Sequence, residues 1–162
     1  MKDLLDKLSS YNLFNYLLPG TLLAFIEKDT FNFVSAKDNV IIAVFFYYFL
    51  GLLTSRVGSL IIEPVLKKLN FIKYSKYEEY LNANQKDPKI EILLETSNMY
   101  RTFVGLFALV LSFRFYGYLT RTYYISKECS FYICISLLII LFLFSYKKQT
   151  NFILKRIKNH KD

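Results

Sequence analysis

The sequence predicts an all-α fold, a four-helix transmembrane bundle with helical cytoplasmic extensions, built as a single integral membrane domain. Its 162 residues suffice for one compact unit, and 54% of them are hydrophobic, which exceeds the usual share in a soluble domain. The charged residues lie between apolar blocks instead of alternating with them. The four blocks comprise residues 13–26, 40–53, 102–119 and 131–146.

The composition excludes several classes of protein. Two cysteines and one histidine are too few for a disulfide scaffold or for a zinc site with several cysteine or histidine ligands. The low apolar content that is typical of disordered chains is absent. We therefore expect a membrane protein that needs no metal and no cofactor.

The apolar blocks predict where the chain crosses the bilayer. A spanning helix needs about 20 largely apolar residues. An apolar run of about 14 residues also occurs as a buried core helix, but four such runs leave too little polar chain here to cover them. The first block contains Pro19 and Gly20, which we expect to break its helix. The predicted spans are residues 11–28, 36–56, 101–120 and 130–147.

Lysine and arginine predict the orientation. In a four-span chain the N-terminal segment, the loop at 56–101 and the C-terminal tail share one side, and that side carries sixteen basic residues against four on the other. Such a bias places the basic side in the cytoplasm. We expect a multi-pass protein of the bacterial inner membrane with both termini cytoplasmic, and we interpret the first block as a retained span rather than a cleaved signal.

The cytoplasmic segments carry helix-start signals. Ser75 and Glu78 have the spacing of a capping box, and Asp87 followed by Pro88 is a typical N-cap and first helical residue. No helix breaker follows before Gly105, so one helix is expected to run from Pro88 into the third block. The predicted helical layer comprises residues 57–100 and the tail 148–162.

The layer is basic, and two interpretations remain open for it. The first is attraction to anionic lipid, in which each lysine contributes about 1 kcal/mol. The second is nucleic acid, because tyrosines interleave with the lysines and tyrosine rings can stack on bases. The basic residues concerned are Lys67, Lys68, Lys73 and Lys76, and the tyrosines are Tyr74, Tyr77 and Tyr80.

One charge lies deep within a predicted span. Arg114 follows Arg101 by 13 residues, or about 20 Å of helix. A charge at that depth usually faces the bundle interior and has a partner, and Glu27 is the acid at a suitable depth. Arg114 then pairs or lines a pore; alternatively, it extends to the headgroup region beside Arg121.

Small residues recur on the second predicted span. Such residues let membrane helices approach closely, either within one subunit or between subunits of the homo-oligomer that we predict. On the same segment Arg56 and Glu63 are seven residues apart, on one helical face. The small residues are Gly51, Ser55, Gly58 and Ser59.

No arrangement of a nucleophile and a base is visible, so we expect no catalytic residues and no enzymatic activity. The tail places Arg156, Asn159 and His160 within about one helical turn, where they could contact a phosphodiester or a partner protein. The alternative is a solvated basic tail.

Four strings resemble segments of small bacterial multi-pass proteins found in phage-defence loci. They lie at residues 11–20, 51–68, 87–91 and 98–101. The chain is similar to the accessory membrane proteins of type VI-B CRISPR loci, which modulate an RNA-guided RNase. The resemblance implies a role in antiviral defence and a cytoplasmic partner. Some members of that family carry a HEPN-like Arg and His ribonuclease motif with four to six intervening residues, whereas three residues separate Arg156 from His160.

Three functions follow as hypotheses. The first is an oligomeric effector or accessory subunit of a defence system, which forms a pore or perturbs the membrane on a signal from a cytoplasmic partner. The second is a non-conducting tether for a soluble partner. The third and weakest is a membrane-bound HEPN-like ribonuclease. The lipid bilayer is the one partner common to all three.

Overall fold

In a computed structural model, which describes residues 13–28 and 39–158, the fold is all-α, with no strand among those residues. The helices are α1 (Leu18–Ile26), α2 (Val40–Val57), α3 (Glu63–Lys68), α4 (Tyr77–Lys86), α5 (Lys89–Thr122) and α6 (Lys127–Lys158). Turns of π-helix precede α1 at Leu13–Leu17 and join α2 to α3 at Gly58–Ile62. The second of these is called the π turn below.

Three helices are long and apolar enough to cross a membrane, namely Val40–Lys68, Lys89–Thr122 and Lys127–Lys158. The apolar helix Asn15–Ile26 is shorter. The membrane character that the sequence predicts is therefore supported, while the fourth span and the orientation of the chain stay predictions.

Pro19 does not break the first helix, contrary to the expectation from sequence. The helix is continuous through Asn15–Ile26, and Pro19 lies just after the π-helical turn at Leu13–Leu17, where the hydrogen-bond register of the helix changes. Helix α2 crosses at Gly20: a Cβ atom at Gly20 would overlap the carbonyl oxygen of Tyr47. The dipeptide thus lies at a change of helical register and at a helix crossing.

The second apolar helix begins and ends at asparagines. The side chain of Asn39 accepts hydrogen bonds from the amides of Ile41 and Ile42, at 3.0 and 3.2 Å, which caps α2 at Val40. The predicted start of this span, at residue 36, lies outside the described residues. At the other end Asn70 adopts a φ of 55°, and the amide of Phe71 donates to the carbonyl of Leu66. This is a Schellman motif, and it ends the continuous helix Val40–Lys68, which is 29 residues long.

The start of the long helix α5 is confirmed. The carboxylate of Asp87 accepts from the amide of Lys89 at 3.0 Å, and α5 then continues for 34 residues without a break. The predicted capping box of Ser75 and Glu78 is not found, because α4 begins at Tyr77. Only the glutamate half of such a box is present, one residue later, where Glu79 accepts from the amide of Lys76 at 3.3 Å.

The core lies between α1, α2 and α5. Leu23, Leu50 and Leu106 are at most 3% exposed and form its centre. Helix α6 packs at the edge of this group through the Phe49 and Phe142 rings, whose centroids are 6.3 Å apart, and through the buried Ser145. Its helical tail, as predicted, continues beyond the apolar block to Lys158.

Candidate functional site

A buried carboxylate joins three helices where their apolar stretches end. Glu63 is 8% exposed, and its Oε1 lies 2.8 Å from the ammonium of Lys67. Its Oε2 lies 2.7 Å from a guanidinium nitrogen of Arg101 and 3.6 Å from the ammonium of Lys148. We call these four residues the Glu63 cluster. It connects α3, α5 and α6.

Lys148 also donates a hydrogen bond to a backbone carbonyl that the π turn leaves without an amide donor. The Glu63 amide bonds to the Gly58 carbonyl in the π turn, and the next residue, Pro64, has no amide to donate in the same register. The Lys148 ammonium donates instead to the carbonyl oxygen of Ser59 at 2.8 Å and to its hydroxyl oxygen at 2.6 Å. One lysine of α6 thus satisfies a backbone acceptor and balances a carboxylate.

The Glu63 cluster carries more positive than negative charge. Three cations face one carboxylate, so the group has two positive charges in excess. Removing the carboxylate from water is costly, and close cations offset that cost when they also donate hydrogen bonds, as Lys67 and Arg101 do. The excess makes this end of the helices attractive to an additional anion.

A second ion pair lies at the opposite end of the apolar stretch. Glu27 follows α1 and is 3% exposed, and its Oε1 is 3.0 Å from Nε of Arg114. The same guanidinium donates to the Ile26 carbonyl at 3.4 Å. The structure therefore brings together the two residues that the sequence suggested as partners. The Arg114 side chain is nevertheless 63% exposed, on the outer surface of the described helices.

The small residues of α2 and the π turn pack within one chain. A Cβ atom at Gly51 would overlap the Tyr16 carbonyl oxygen, and one at Gly58 would lie 2.7 Å from the Arg101 carbonyl oxygen. Ser55 and Ser59 are 2% and 7% exposed. Of the two alternatives left open by the sequence, packing within a subunit accounts for this face, which therefore gives no support to a homo-oligomer.

The basic layer has less free capacity for nucleic acid than its sequence suggests. Lys67 bonds to Glu63, and its ammonium lies 4.1 Å from the centre of the Tyr74 ring. The rings of Tyr77 and Tyr80 stack on each other at 6.4 Å. The pKa of the Tyr80 hydroxyl is raised, first by partial burial and then by Glu91 and Tyr77. Two of the three tyrosines therefore already have aromatic partners.

The other predicted contacts are dispersed. Lys68, Lys73 and Lys76 are exposed along the segment from the end of α3 to the start of α4, and Arg156 is exposed near the end of α6. Asn159 and His160 lie outside the described residues. Among the described residues no group of histidine, cysteine, aspartate and glutamate has the arrangement of a metal site.

The sequence analysis missed the Glu63 cluster because it related Glu63 only to Arg56, on its own helix. A usable signal was present. Arg101 immediately precedes the third apolar block and Lys148 follows the fourth by two residues, and in a chain that crosses back and forth these two ends lie on the same side as Glu63, which follows the second block. Matching charges by depth, rather than by spacing along one helix, would have found the cluster.

No protein-family model matches the chain, and no curated protein or solved structure is significantly similar to it.

Proposed function

We propose that the protein is a non-conducting membrane tether that holds a soluble partner of a bacterial antiviral defence system at the membrane surface. One observation carries the proposal: the small-residue face and the intramembrane charge, on which a pore would depend, are both engaged within a single chain. The defence setting, and an RNA-guided RNase as the partner, come from the sequence resemblance.

The projecting helices supply a surface for such a partner. Helix α5 begins 12 residues before Arg101, and this part, from Lys89 to Tyr100, is about 18 Å long. Its side chains Ile92 and Leu93 are 62% and 67% exposed. The end of α6 likewise exposes Phe152 and Leu154 beside basic residues. Apolar side chains outside a span suit a protein surface that is partly apolar, and the lysines at the end of α6 add a preference for an acidic one.

A photo-crosslinking experiment tests the tether. A photoreactive residue at Leu93, in the projecting part of α5, should crosslink to the RNase of the same locus in cells. The matched control is Leu111, which is 71% exposed on the same helix but within the apolar block, and which should crosslink to no soluble protein. Equal crosslinking at both positions, or none at Leu93, would contradict the proposal.

A pore-forming oligomer is the second candidate, and the exposure of Arg114 favours it. Although Arg114 pairs with Glu27, a guanidinium that is 63% exposed within an apolar helix favours contact with water or with another subunit over contact with lipid tails. Helix α6 adds a surface for such contacts, since only 6% of its most apolar window is buried. An oligomer in native mass spectrometry together with depolarisation of cells on induction would select this candidate. A monomer without depolarisation would select the tether.

A further inference from the structure

A groove runs along α6 beside the π turn. It encloses about 340 Å³. Its apolar wall is formed by Leu60 and Phe144, and its basic wall by Lys147, Lys148 and Lys155, with Phe152 among these lysines. We call it the lysine groove. It borders the Glu63 cluster, because Lys148 belongs to both.

The lysine groove changes from apolar to basic along its length. Phe144, Lys148 and Lys155 repeat at intervals of four and seven residues, so they lie on one face of α6. From Phe144 to Lys155 the helix rises about 17 Å. Phe144 belongs to the apolar block, whereas Lys155 lies in the projecting tail. A ligand that fills the groove must therefore be apolar at one end and anionic at the other.

The positive charge of the lysine groove is not neutralised by the protein. Lys147 and Lys155 are exposed and have no ion-pair partner among the described residues. Lys148 is fixed by Ser59 and Glu63, and the Glu63 cluster already has two positive charges in excess. The Lys148 ammonium is therefore held in place and contributes a fixed positive charge. Lys147 and Lys155 have ammonium hydrogens available for the phosphate oxygens of a ligand.

From this geometry we propose that the lysine groove binds the phosphate headgroup of an anionic phospholipid, with the glycerol and upper acyl chain against Leu60 and Phe144. Basic pockets between spanning helices are a known form of headgroup recognition. A lipid fits better than a free anion, since free phosphate or a nucleotide has no use for an apolar wall that continues into the bilayer. A headgroup with an exposed phosphate monoester, as in phosphatidic acid, best matches the charge excess.

Native mass spectrometry tests the proposal with the full chain released from a neutral detergent. Phosphatidic acid should remain bound to the wild type, and phosphatidylcholine with the same acyl chains should not. The double variant K147Q/K155Q should lower the affinity for phosphatidic acid about tenfold or more, as expected for two lysines near an anionic headgroup. Both side chains are exposed, so the variant should keep the wild-type circular dichroism spectrum and melting temperature.

The matched control is K68Q/K73Q, which removes two exposed lysines outside the lysine groove. It should bind phosphatidic acid as the wild type does. An equal loss in both double variants would overturn the proposal in favour of general surface attraction. The variant F144A, which keeps every charge, should weaken lipid binding several-fold, and unchanged lipid binding would count against the apolar wall.

Inorganic phosphate distinguishes a lipid site from a free-anion site. At millimolar concentration it should not displace phosphatidic acid, because it lacks the contacts with the apolar wall. Displacement of the lipid by phosphate, together with phosphate binding that survives in F144A, would overturn the proposal and identify a soluble anion as the ligand.

Discussion

The group formed by α1, α2 and α5 and the peripheral helix α6 are held in different ways. In the first, backbones touch: Gly51 meets the Tyr16 carbonyl, Gly58 the Arg101 carbonyl and Gly105 the Thr54 carbonyl. Helix α6 has no glycine among residues 127–158 and meets the group through side chains alone, chiefly Phe142 and Lys148.

The difference shows what each region needs. Lipid tails are as apolar as leucine, so apolar contact alone does not hold helices together in a bilayer, and close backbone packing or polar contacts must do so. The first region uses packing. Helix α6 uses the Glu63 cluster, and the rest of its surface remains available to lipid or to another protein. Breaking a backbone crossing should therefore affect the whole fold, while breaking the α6 contacts should release one helix.

The largest effect is expected from Gly51→Leu. The new side chain cannot avoid the Tyr16 carbonyl, because the clash begins at Cβ, so α1 must separate from α2. We expect a loss of about 3 kcal/mol or more in the free energy of unfolding, measured by thermal or denaturant unfolding in detergent.

Gly117→Ala is the matched control for that variant. Nothing lies within 4 Å of a Cβ atom at Gly117, and alanine has the higher helix propensity, so this variant should be neutral or slightly stabilising. If Gly51→Ala were equally neutral, the close crossing of α1 and α2 would be wrong.

Glu63→Gln should come next. It leaves the cations of Lys67, Arg101 and Lys148 close together without a carboxylate, and breaking a buried ion pair by removing one partner costs about 3 kcal/mol. Unfolding in detergent measures the loss. The control is Glu91→Gln, an exposed carboxylate on α5 whose replacement should change stability by less than about 0.5 kcal/mol. Equal effects of the two variants would show that the Glu63 cluster does not stabilise the fold.

The sequence predicts the helices of this protein well but predicts their contacts less well. The apolar blocks, the Asp87 cap and the unbroken α5 follow from local patterns, because hydrophobic periodicity and capping depend on neighbours in sequence. Gly51 and Gly58 were visible as small residues, yet whether they face another helix or another subunit depends on helix rotation. That rotation is set by tertiary packing.

Polar contacts over long sequence distances were the least predictable feature. Glu63 and Arg101 are 38 residues apart, and Ser59 and Lys148 are 89 apart. The π turn, which exposes the Ser59 carbonyl to Lys148, has no reliable sequence signature beyond the following Pro64. The pair of Glu27 and Arg114 was found because Arg114 is isolated in an apolar segment and Glu27, at the end of the first apolar block, is the acid at a matching depth.

Lys148→Met should affect α6 alone. The ammonium bonds that link α6 to Ser59 and Glu63 are lost, while Glu63 keeps Lys67 and Arg101. We expect faster hydrogen exchange across Ser145 and its neighbours on α6, with little change in the exchange of α2 and α5. Lys158→Met, at the exposed end of the same helix, is the control and should leave exchange unchanged. Uniformly faster exchange in all helices would mean that α6 is part of the cooperative core.

The smallest effect on stability is expected from Arg114→Leu, although Arg114 belongs to the strongly packed region. Two contributions oppose each other. Leucine removes the cation that pairs with the buried Glu27, but it also removes a largely exposed guanidinium from an apolar helix, where a charge is costly. We expect a net change of about 1 kcal/mol or less in unfolding free energy. Combining Arg114→Leu with Glu27→Gln gives a double-mutant cycle that isolates the pairing from the burial.

Arg121→Leu, close to the end of α5, is the control for losing a cation without a described ion-pair partner. A loss of several kcal/mol for Arg114→Leu alone would show that the pair anchors α1 to α5 as firmly as the glycine crossings do. Unchanged stability combined with lost depolarisation of cells would instead assign Arg114 to a pore and favour the oligomer over the tether.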